Sequence, residues 1–199
     1  MSDLPQWAST ALAARCARLL APRLHTQWPN MPTEVGQLFE SAVTGAESAA
    51  SRGSVSDELG TLEMELTKTV GMFVLNLSGL AEGITRPMPS YEAMRDLMPT
   101  NKADVEIVRN ILDVGARTAR AAASKSESSA YREAMDAVSW TLSVLEDVQD
   151  TGLHDHVLSI NERLHAICEV NGAAKDTTVR WNEHDWEVSI PQRPWWRLW

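Results

Sequence analysis

Apolar side chains recur at close to the 3.6-residue helical period over most of the chain, in stretches separated by glycine, proline and hydroxyl residues. The most apolar stretch is Ser54 to Leu80, with Val55, Leu59, Leu62, Leu66, Val70, Phe73 or Val74, Leu77 and Leu80 in phase. From Val70 to Leu77 the apolar surface widens to take in Met72 and Leu75, and a helix apolar on most sides is buried on most sides. The pattern therefore predicts a central helix here, opened by a capping box of Ser54 with Asp57.

Around it the same period predicts helices over Leu4 to Leu24, Glu34 to Ser51, Lys102 to Ala123, Glu127 to Asp150 and Asp155 to Val170. Leu12, Cys16, Leu19 and Leu20 form the first stripe, with the arginines of that helix directed elsewhere. Thr33 is expected to cap the second helix, and Ser124 with Glu127 to cap the fifth. Alanines at 116, 119, 121, 122, 123, 130, 134 and 137 indicate close helix approach. The proline-punctuated segment after Leu80 holds room for one short helix, Ser90 to Leu97, with Met88, Met94 and Met98 suited to covering the core.

After Asp176 the period changes to two. TTVRW and WEVSI flank NEHD and predict a β-hairpin whose apolar face lies on the helices. The expected fold is mainly α: a single-domain bundle of about six helices over 4–172, with a C-terminal β-hairpin and Trp-rich tail over 173–199 packed on it.

Composition sets the class. At 199 residues with 44% hydrophobic and 23% charged residues, the chain can bury one core and reads as soluble and globular. No stretch is long and apolar enough to span a membrane, and MSDLPQW lacks the basic and apolar regions of a signal peptide. Two cysteines among apolar neighbours, Cys16 and Cys168, read as buried thiols, and cytoplasmic residence follows.

The net charge of −9 is concentrated in the middle of the chain, because residues 1–30 are slightly basic and the last 28 are neutral. Such a body repels nucleic-acid backbones and anionic membranes and attracts basic proteins.

Candidate chemistry is sparse. There is no Walker loop, dinucleotide fingerprint or H-E-x-x-H. Cys168 lies three residues after His165, but no third catalytic group or oxyanion signature accompanies them. Glu162 and His165 form one E-x-x-H, whereas a di-iron carboxylate bundle uses two, with further glutamates. Glu58, Glu63, Glu65, Glu133 and Asp136 are similar in kind to the magnesium-binding carboxylates of helical nucleotide pyrophosphohydrolases, but lack their adjacent glutamate pair. The alternative reading is therefore a metal-dependent hydrolase of a phosphorylated small molecule, using Glu58, Glu65, Glu133, Asp136, Glu162 and His165.

Five of the eight tryptophans, Trp181, Trp186, Trp195, Trp196 and Trp199, fall near the C-terminus with Arg193 and Arg197. Each ring buries roughly 150–250 Å² when covered, so this end either seals the bundle or meets a partner. In its small size, acidity and helical build the protein resembles, in character alone, a bacterial immunity protein. That resemblance implies a non-catalytic module, without cofactors, that neutralises a basic toxin or effector domain. A subunit role in a larger assembly is the third expectation.

Overall fold

The computed structural model describes residues 4–77 and 96–171, with the backbone alone for Asn76, Leu77, Ile167, Val170, Asn171 and the strand segments 178–181 and 186–189. The helices are α1 (Gln6–Gln27), α2 (Thr33–Arg52), α3 (Leu59–Leu77), α4 (Lys102–Ala123), α5 (Glu127–Asp147) and α6 (Thr151–Asn171). The two extended segments are β1 (Thr178–Trp181) and β2 (Trp186–Ser189).

Several helix ends differ from expectation because one residue serves two elements. Gly53, at φ +62°, closes α2, and the N–H groups of Gly53 and Ser54 donate to Ala50 and Ala49. These two bonds form a Schellman motif. Ser54 is thereby spent on ending α2, and α3 starts five residues later than its apolar pattern suggests. At the start of α5 the cap is Ser126, which accepts from the Ser129 N–H, rather than Ser124. Thr33 is already helical, with Pro32 before it and no side-chain cap. The break expected after Asp150 falls earlier: Gln149 takes the left-handed conformation at φ 57°, and Asp150 accepts from the Leu153 N–H to start α6. The expected short helix Ser90 to Leu97 lies outside the described residues apart from Asp96 and Leu97, which sit in a turn.

The centre of the bundle is α4, not α3. Helix α4 packs on α1, α2, α3 and α5, whereas α3 packs on α4 and α2. Val108, Ile111, Leu112, Val114, Ala116 and Ala119 are all fully buried. In the second half of α3, among the described side chains, only Phe73 is; Val70, Met72 and Leu75 are half-buried and Val74 is 43% exposed. Small residues permit the approach to α4: a Cβ on Gly115 would sit 2.7 Å from the Phe39 ring. Helix α1 shares the centre. Every residue from Trp7 to Ala17 is buried, including Arg15, which the stripe pattern directs outward. Thr118 on α4 donates to the Ala13 carbonyl of α1 at 3.0 Å. Trp28 closes one end of the core, its ring edge-on to Phe73 at 5.0 Å and its Nε1–H donating to the Leu97 carbonyl at 2.6 Å.

The fold class is corrected to all-α: among the described residues the body is a bundle of six helices, and no strand belongs to it. The backbones of β1 and β2 run antiparallel, with Val179 opposite Val188 and Trp181 opposite Trp186. Four residues a side make no layer of a fold, since a lone two-stranded ribbon is marginal in water. Alternation in the sequence is a backbone signal, and a short antiparallel ribbon is what it yields here.

Candidate functional site

Helical spacing places the charged side chains in rows, and the rows meet at the helix seams. Asp113 and Arg117 are one turn apart on α4, with Arg120 following on the same side. Across the seam, Glu133 and Asp136 are one turn apart on α5. Arg117 reaches Asp113 at 2.8 Å, Asp136 at 2.6 Å and Glu133 at 3.2 Å. Arg120 reaches Glu133 at 3.4 Å and also donates to Glu63 on α3. Burial works against the charge on both guanidiniums, yet the surrounding carboxylates raise their pKa values. The cluster fastens α3, α4 and α5 together.

Two further arginines act in the same manner. Arg18 on α1 meets Glu40, Thr44 and Glu47, spaced along one face of α2. Hydrogen bonding to Glu47, aided by Glu40, raises its pKa against the effect of burial. Arg23 pairs with Asp150 at the α5–α6 joint. The Asp150 carboxyl is held below its ordinary value by the Leu153 N–H and by Arg23.

The carboxylates singled out in the sequence are dispersed by this arrangement. Glu133 and Asp136 are occupied by arginines, and Glu65 pairs with Lys68 at 2.6 Å on the outside of α3. Glu58 and Glu162 face solvent. His165 faces inward, 5% exposed and edge-on to Tyr131 at 6.0 Å, so the E-x-x-H pair does not share an environment. The buried Nε2 of His165 and Oδ1 of Asn161, one turn away, have no hydrogen-bond partner among the described residues. Among the described residues, no three His, Cys, Asp or Glu side chains gather where they could hold one metal ion. Cys16 is fully buried, and burial pushes its thiol up to about 12; Cys168 is half-buried and shifted in the same direction. Trp195, Trp196, Trp199, Arg193 and Arg197 lie outside the described residues, as do the side chains of Trp181 and Trp186.

The arginine seams were missed by a search for metal and nucleophile motifs. Their signal was present in the Asp113–Arg117 spacing and the matching Glu133–Asp136 pair, but pairing across helices needs the fold.

Two clefts open beside these seams. One, of about 560 Å³, lies at the α1–α2 elbow beside His25 and Met31. The other, of about 450 Å³, lies between α2 and α3 beside Arg52 and Glu58. No described helix is long and apolar enough to cross a membrane. No family model, curated protein or solved structure matches the chain.

Proposed function

We propose that this protein is a non-catalytic protein-binding module whose partner presents a basic surface, as an inhibitor or immunity protein would. The supporting observation is the uneven fate of its charges. Arg18, Arg23, Arg117 and Arg120 are committed to internal pairs. Glu34, Glu106, Glu127, Asp147, Glu162 and Glu169 are exposed, without a cation on them among the described residues. These pairs take up seven carboxylates with four arginines and add no acidity of their own; the net charge of −9 and the unpaired exposed carboxylates give the acidic outward field, and such a field steers a basic partner to the surface. The C-terminal tryptophans with Arg193 and Arg197 are proposed to add apolar anchors to the same interface.

Affinity capture from the source cells tests the reading, comparing the wild type with the double variant Glu162→Lys, Glu169→Lys and with Trp195→Ala, Trp196→Ala. The expected result is a basic protein retained by the wild type, released as salt rises, and lost from the charge-reversed variant. Retention of no protein, or of one whose binding ignores both salt and charge reversal, contradicts the reading.

A further inference from the structure

The α2–α3 cleft is lined by two opposite charges that do not pair with each other. Its α2 wall is a row of hydroxyls, Ser41, Thr44 and Ser48, at spacings of three and four residues on one helix face. Its floor is fixed where the two helices touch, since a Cβ on Gly45 would fall 2.6 Å from Leu59. At its end stand Arg52, in the last turn of α2, and Glu58, just before α3. The joint between them is pinned twice. The Schellman bonds set the turn at Gly53, and the Ser56 N–H donates to the Ala122 carbonyl of α4 at 3.1 Å. Arg52 and Glu58 pair neither with each other nor with any other described residue, whereas Arg18, Arg23, Arg117 and Arg120 all hold carboxylates.

A guanidinium and a carboxylate that share a cleft without meeting leave room for a ligand carrying the two complementary charges. The volume falls within the range of small-molecule sites. Glu40, also on the wall, is engaged by Arg18, so among the described residues the free charges of the cleft are one of each sign. That balance disfavours a phosphate or a simple cation, and the hydroxyl row disfavours an apolar guest. We propose that the cleft binds a small zwitterion of the amino-acid or dipeptide class. The ligand carboxylate lies on Arg52, its ammonium on Glu58, and its amide or side-chain polar atoms on the hydroxyls of Ser41 and Ser48, Thr44 being held by Arg18. The inference is independent of the partner reading.

The test is an amide-resolved NMR titration of the full chain with diglycine, run beside N-acetyldiglycine, which lacks the ammonium, and glycylglycinamide, which lacks the carboxylate. Saturable shifts confined to Ser41–Leu62 are expected for diglycine. Each blocked analogue should bind roughly fivefold more weakly or worse, the loss of one partly solvated charge contact. Arg52→Ala and Glu58→Gln, both at exposed positions, should weaken diglycine by a similar factor, and Glu162→Gln should not. The absence of saturable shifts, equal binding of all three probes, or unchanged affinity in both cleft variants overturns the proposal.

Discussion

Helices α3 and α4 exchange the roles their sequences suggest. Helix α3 carries the widest apolar surface in the chain, yet its second half leaves Val74 exposed and Val70, Met72 and Leu75 half-covered. Helix α4 carries Arg109, Asp113, Arg117 and Arg120 and still occupies the centre, because its charges leave along the seams and its small residues admit neighbours on several sides. How many elements can approach a helix decides its burial, and Gly115, Ala116 and Ala119 permit more approach than Leu75 and Met72 do.

Truncation gives the widest separation between the two helices. Ile111→Ala on α4 is expected to cost about 2–5 kcal/mol, as large-to-small changes at fully buried sites do. Val74→Ala on α3, 43% exposed, should cost well under about 1 kcal/mol. Denaturant melts of the two variants check the pair, and equal losses would break the contrast.

Adding a methyl group probes the same difference in the opposite direction. At Gly115 the new Cβ meets the Phe39 ring at 2.7 Å and Leu66 at 3.5 Å, and Gly115→Ala should destabilise by about 1–3 kcal/mol. At Gly71 on α3 a Cβ meets nothing within 4 Å, so Gly71→Ala should stabilise by roughly 0.5–1 kcal/mol through helix propensity alone. A shared sign in thermal melts would contradict the packing difference.

A separate effect is read at high pH. Cys16 lies on α1, in the centre with α4, and burial holds its thiol neutral up to about 12 against an ordinary value of 9.0. Below 9 both folded and unfolded chains keep the proton. Between 9 and 12 the unfolded chain loses it first, so stability falls as pH rises across that window. Cys16→Ala should flatten part of that fall. In the native protein a thiol reagent should modify half-buried Cys168 before Cys16, and mass spectrometry of the labelled peptides checks the order.

The rough span of each described helix was legible because apolar period and breaker residues act locally. Helix ends were less so, since Ser54 and Asp150 each answer to two elements at once. The central helix was misjudged because counting apolar residues measures what a helix can bury, whereas Gly115 against Phe39 fixes what does bury it. For the same reason the carboxylates of the candidate metal set could not be sorted from sequence. Glu133 reads as a ligand until Arg117 and Arg120 are seen to occupy it from the neighbouring helix. The C-terminal alternation shows the opposite case, a clear local pattern whose four-residue strands add no layer to the helical bundle.

Native-state amide hydrogen exchange compares the two helices most directly, since amides in well-packed helices open only with global unfolding and those in part-covered ones open sooner. The account predicts that amides from Val108 to Ala119 of α4 exchange slowest in the molecule and track its global stability, while those from Val70 to Leu75 of α3 exchange measurably faster. Slowest exchange in Val70–Leu75, with α4 opening first, would return the centre of the bundle to α3.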